Sequence, residues 1–112
     1  MEPRHEQLEF FEKAGGVGRM LMLPLVKGES AGKNLGMLGK ATLPAGSSLG
    51  DHAHHGEREI YWILSGRGTY HDDDQTYPVQ AGDVTVCLSG HRHGLVNDSD
   101  EPLSWLAVIV RD

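Results

Sequence analysis

The chain has 112 residues, fifteen of them glycine and five proline, with a net charge of −6 and a single cysteine. That length suits one domain and leaves no room for a second sizeable core. An acidic chain with ten scattered basic residues is a poor nucleic-acid binder, no run reaches the ~18 apolar residues a membrane helix needs, and one thiol cannot form an internal disulfide, which favours a reducing, cytoplasmic setting.

The opening MEPRHEQLEFFEKAGG is charged and lacks an apolar core, so it does not read as a signal peptide. Residues 5–14 are expected to form a short helical turn that Gly15 and Gly16 would end. After that the chain reads as strands and turns. Arg19–Val26 is apolar and strand-like, with Pro24 demoting it to an edge or a bulge. Leu35–Leu43 follows a polar turn. Ile60–Leu64, Gly68–His71, Val84–Leu88, His91–Val96 and Leu103–Val110 follow, separated by Gly-, Pro- and Asp-bearing turns. Short strands at about 8–12-residue spacing predict an all-β sandwich or barrel. The connections are too short for helical crossovers, so the pairing is expected to be mainly antiparallel. Residues 1–30 are expected to be an N-terminal extension and edge strand, and residues 31–112 the barrel domain.

Seven histidines are the most informative feature. His52 and His54 are two apart, so on a strand both project from one face. Glu59 follows His55-Gly56-Glu57-Arg58, which reads as a hairpin connection that would lay Glu59 opposite the histidine pair. His93 would arrive on a later strand. Three imidazoles and one carboxylate suit a divalent Fe, Mn, Ni, Co, Cu or Zn ion rather than Ca or Mg. On spacing alone, a polar surface strand remains the alternative.

The segment GSSLGDHAHHGEREIYWILSG resembles the first motif of the cupin superfamily, with Gly46, His52, His54, Glu59 and Gly66 at the motif positions. GDVTVCLSGHRHGLVN is similar to the second, through Gly82, Gly90, His93 and Asn97; Leu88 stands where that pattern has proline. The tail PLSWLAVIV looks like the closing strand of such domains. The resemblance implies a double-stranded β-helix, or jelly-roll barrel, of six or more strands. It implies one metal near a mouth, ligated by His52, His54, Glu59 and His93.

Parity assigns the other candidates. His55 should face solvent. His91 either faces the site or caps its turn. His71 and the Asp72–Asp74 run read as a surface hairpin tip. Cys87 reads as a buried core thiol. Tyr61 shares parity with Glu59; its hydroxyl would orient a substrate or donate a proton, or else simply pack in the core. Ile60 and Trp62 face outward, which suggests an interface and matches the homodimers common among single-domain cupins. Trp105 lies in the core or lines the cavity.

A metal with open positions favours an anionic or carbonyl-bearing small molecule. Cupins include oxygenases, isomerases and decarboxylases, so the fold does not choose among them. A metal-dependent ligand-binding or sensing module without turnover is the alternative. Cupin regulators usually carry a helical DNA-binding unit, for which no segment of these residues fits. A metal that only staples the barrel is a third reading.

Overall fold

The computed structural model describes all residues 1–112. Ten strands form two antiparallel sheets: β1 (Leu8–Phe11), β2 (Arg19–Val26), β3 (Leu35–Leu43), β4 (Ser48–Ala53), β5 (Glu57–Ser65), β6 (Arg67–Asp72), β7 (Gln75–Gln80), β8 (Val84–Cys87), β9 (Arg92–Val96) and β10 (Leu103–Arg111). One sheet runs β1-β2-β3-β10-β5-β8 and the other β4-β9-β6-β7. This is the all-β, antiparallel architecture expected from the strand spacing, in the jelly-roll form that the resemblance implies.

Alternation builds the interior. On β5, Glu59, Tyr61 and Ile63 are buried, while Trp62 and Leu64 are exposed. Leu43 from β3, Tyr70 from β6, Leu95 from β9 and Trp105 from β10 complete the largest fully buried side chains. Burying each such side chain favours folding by roughly 1.5–3 kcal/mol. Asn97 is also fully buried. Its amide donates to the carbonyls of Leu43 (2.9 Å) and Glu101 (2.8 Å), so the motif asparagine closes a turn.

Two local expectations are corrected, and one strand carries no clear signal in the sequence. Residues 5–14 do not form a helical turn: Leu8–Phe11 pairs with Arg19–Met22 as strand β1, and only a 3₁₀ turn at Lys13–Gly15 follows it. Lateral pairing with β2 outweighs local helix preference here. The strand β7 was not anticipated because QTYPVQ is polar and contains Pro78; it is an edge strand, where a missing N–H is tolerated. Finally, β4 and β5 do not form a hairpin. They belong to different sheets, and residues 54–56 turn the corner between them. Pro24 does mark a bulge, with the β2–β3 register shifting between Pro24 and Val26.

Candidate metal centre

Glu59 therefore meets the histidines across the barrel rather than along a ladder. The direct neighbour of His52 is His93: the two are cross-strand partners on β4 and β9. His54 lies one residue past the end of β4. Its N–H donates to the His91 carbonyl (3.3 Å) and its carbonyl accepts from Gly90 N–H (2.7 Å). Gly90 has φ of 88°, a left-handed turn position that suits glycine. The turn before His93 thus anchors His54, and Leu88 in place of proline leaves this anchorage intact.

The four side chains converge. Oε1 of Glu59 lies 2.8 Å from Nε2 of His93, 2.9 Å from Nε2 of His54 and 3.4 Å from Nε2 of His52. The Nε2 atoms of His54 and His93 are 3.1 Å apart. All four donor atoms fall within 4.8 Å of one another. His93 is fully buried, Glu59 and His54 nearly so, and His52 is partly exposed.

The outward nitrogens fix the tautomers. Nδ1 of His52 faces the Gly50 carbonyl at 2.9 Å, and a carbonyl only accepts, so Nδ1 carries the proton. Nδ1 of His54 donates to the Glu57 carboxylate at 3.1 Å. Nδ1 of His93 sits 2.7 Å from the Tyr70 hydroxyl. In the neutral state Nε2 of His52 and His54 is then a bare lone pair aimed at a carboxylate oxygen. With His93 donating to Tyr70, a third lone pair joins them. Such a cluster repels itself unless a cation sits inside it. Ligands about 2.1 Å from an ion and at right angles to one another would lie about 3 Å apart, which the observed spacings match. The residues present fit a divalent transition metal, and each histidine has the outer hydrogen bond that orients a ligating imidazole.

The electrostatics agree. Burial alone would raise the pKa of Glu59, but the imidazoles of His52 and His93, which donate to it whenever their Nε2 is protonated, hold it down to about 2. Burial works against the charged form of His52, yet its contacts with Glu59 and Gly50 outweigh this and its pKa is raised. At His93 burial dominates and the pKa is lowered. Tyr61 is buried, with its ring stacked on His93 at 4.8 Å and 25°; burial and then Glu59 raise its pKa, so its hydroxyl stays protonated. Burial pushes the Cys87 thiol up to about 11, which makes it a core thiol and a poor nucleophile.

The remaining histidines stay outside the cluster. His55 is exposed. His91 caps its turn through Asp73 (2.6 Å) rather than facing the site. His71 pairs with Asp51 at 3.0 Å. Tyr70, Glu57 and Gly50 were not singled out from the sequence, although Glu57 is three residues from His54 and Tyr70 lies at an inward position of its strand.

A cavity of about 390 Å³ opens beside the cluster. Tyr61, Trp105, Leu49, Lys13 and Ala14 contribute to its wall. Buried Trp105 has an indole N–H without a partner in the protein.

Residues 39–109 match the family model described as Cupin domain. The chain is a cupin. It is similar to the oxalate-binding protein of Thermotoga maritima, with 41% identity over 86% of this cupin and 79% of that protein. It also resembles a Thermotoga maritima crystal structure described as a predicted oxalate decarboxylase, at TM-score 0.92 and 37% identity, covering 95% of this cupin and 92% of that chain. A Cupin 2 conserved barrel domain protein from Salinispora arenicola superposes with TM-score 0.71 and 30% identity, over 81% and 75% of the two chains.

Proposed function

We propose that this cupin holds one divalent transition metal, from among Fe, Mn, Ni, Zn, Co and Cu, with His52, His54, Glu59 and His93, and there binds a small carboxylate of the oxalate type. The observation that carries this is the convergence of bare imidazole nitrogens on Glu59 at one end of an otherwise largely apolar cavity. Four protein donors would leave a six-coordinate ion two positions for a ligand. A divalent ion and one carboxylate give a local charge of about +1, which attracts an anion. The similarity to an oxalate-binding protein points to the same ligand class.

When bound, the metal would supply Lewis-acid polarisation of a ligand oxygen. The chain's own groups would do the rest. Tyr61, protonated and stacked on His93, would hold a ligand oxygen and serve as the proton donor in turnover. Among oxygenase, isomerase and decarboxylase chemistry, decarboxylation fits these relatives best. Binding without turnover is the second reading, favoured by the name of the Thermotoga relative.

Metal analysis followed by calorimetric titration with oxalate tests the proposal. About one metal per chain and saturable oxalate binding are expected. A protein that cannot be loaded with metal, or a loaded one that ignores oxalate, rules it out. Formate released from oxalate would establish turnover; binding without formate would establish the second reading.

Two further proposals accompany this one. Trp62, Val84 and Val86 are exposed on the outer face of β5 and β8, where Trp62 pairs with Val84 and Ile60 with Val86. We propose that a second copy covers this face, giving a homodimer; a monomer by sedimentation at working concentration would remove it. The lone buried thiol accords with a reducing, cytoplasmic workplace. We further propose that residues 1–30 are an extension that brings Lys13 to the cavity wall of the barrel formed by residues 31–112. No helix is long and apolar enough to cross a membrane.

A further inference from the structure

The cavity beside the metal cluster has one cation on its wall, Lys13. It comes from the 3₁₀ turn Lys13–Gly15, far in sequence from every other polar group there. A second apolar hollow of about 440 Å³ shares Lys13, Met20, Met22 and Met37 with the first, so Lys13 stands where the two meet. Its ammonium lies 4.7 Å from the centroid of the Phe10 ring, a cation–π contact that steadies the side chain without neutralising it. No carboxylate is within ion-pair distance of it, and Glu9, four residues earlier in the chain, is paired with Arg19. It lines the same cavity as His52.

The turn that carries Lys13 is held firmly. Ser48 N–H donates to the Val17 carbonyl and Val17 N–H to the Ser48 hydroxyl, both at 2.8 Å. Backbone lies directly on backbone: a Cβ at Gly50 would overlap the Ala14 carbonyl, and one at Gly16 the Ser48 carbonyl. Glu12 and Ala14 have φ of 50° and 55°, left-handed values that cost a non-glycine residue about 1 kcal/mol or more each. Such strain persists only where surrounding packing enforces it. The packing here presses the turn against β4, the strand that carries His52.

Charge then selects the ligand. Glu59 and a divalent ion sum to about +1, and Lys13 brings the cavity to about +2. A monoanion leaves this half compensated, whereas a dianion neutralises it. The chain as a whole is at −6, so an unpaired cation on the cavity wall is also what would draw an anion inward.

We propose that Lys13 is the second anion-binding group of this cavity and that the ligand is a small dicarboxylate dianion, held by the His52, His54, Glu59 and His93 centre and by Lys13. This rests on the reading that the centre binds carboxylates. The test is calorimetric titration of the metal-loaded full chain with oxalate, malonate and acetate, for wild type, Lys13→Met and Lys13→Arg, with metal content and melting temperature measured alongside. Wild type should bind the dianions about tenfold or more tighter than acetate. Lys13→Met should lose about tenfold in dianion affinity with acetate changed by less than about threefold, at unchanged metal content, and Lys13→Arg should recover most of the loss. Dianion binding unaltered by Lys13→Met, or an equal loss for acetate, overturns the role of Lys13 alone. A loaded wild type that binds none of the three anions overturns the carboxylate reading and the Lys13 assignment together.

Discussion

Two sets of histidines share the same part of this barrel and do opposite things. His52, His54 and His93 turn inward and meet at Glu59. His55 is exposed, while His71 and His91 each pair with a surface aspartate, Asp51 and Asp73. The difference is one of placement, since the residue type is the same. His54 and His55 are chain neighbours on opposite sides of a backbone. His91 and His93 share parity, yet His91 precedes β9 and lies in the turn, where strand alternation no longer governs direction. Depth converts the same imidazole–carboxylate contact from a solvated surface pair into a buried cluster able to hold a cation.

Removing an inner histidine should have the largest effect. His52→Ala or His93→Ala is expected to lower metal affinity by about a hundredfold or more while the barrel still folds, whereas His71→Ala or His91→Ala changes it by less than about twofold. Elemental analysis and metal titration of the four variants read this directly. Metal retention equal to wild type in both inner variants would erase the contrast.

Next comes the group behind His93. Tyr70 is buried, burial raises its hydroxyl's pKa, and that hydroxyl sits on Nδ1 of His93. Tyr70→Phe keeps the ring in the core and removes only this contact. It should cost about 10–100-fold in metal affinity, the usual range for an outer partner of a ligating histidine. Competition titration against a chelator measures it; an affinity unchanged within error would mean that packing alone orients His93.

Proton competition is gentler and has a definite sign. A metal must displace protons from the imidazoles, so affinity rises with pH. His52 holds its proton more tightly than an ordinary imidazole, so the rise should continue through and above pH 6.5 before it levels. His93, with its lowered pKa, adds slope only at lower pH. Glu59, at about 2, is already a carboxylate across this window and adds none. In the metal-free protein the signs separate. Stability from the raised pKa of His52 is present below pH 6.5 and lost as pH rises through its folded value. Stability from Glu59 is present above 4.5 and lost as pH falls toward about 2. A metal affinity flat down to about pH 4 would point to other ligands.

The same distinction explains what could be read in the sequence. The four clustered residues were legible because strand parity and motif spacing are local. Likewise, the inward set Glu59, Tyr61 and Ile63 follows from alternation within one strand. The partner of His52 was not legible: pairing with His93 instead of Glu59 depends on β4 and β5 going to different sheets. Pairing also overrode local preference at Leu8–Phe11, and Lys13 reaches the cavity only through a turn packed on β4, a contact between residues over thirty positions apart.

The smallest effect should come from the outer pair itself. His71 Nδ1 and Asp51 Oδ1 are 3.0 Å apart, almost the same as the 2.9 Å between His54 and Glu59. They reach across β9 at Gly94, where an added Cβ would meet Asp51 Oδ1. Yet the Asp51 side chain is 39% exposed and that of Glu59 only 5%. Water solvates Asp51 whether or not His71 is present, so the pair is worth no more than about 1 kcal/mol. Glu59 has no such alternative, and only a proton or a cation among the imidazole nitrogens offsets its charge in that low dielectric. Asp51→Asn should therefore shift chemical-denaturation stability by less than about 1 kcal/mol and leave metal affinity unchanged, while Glu59→Gln, equally conservative in shape, should abolish tight metal binding. If Asp51→Asn weakened the metal as much as Glu59→Gln does, charge on the outer face would be felt through the sheet, and depth could no longer be what separates the two sets of histidines.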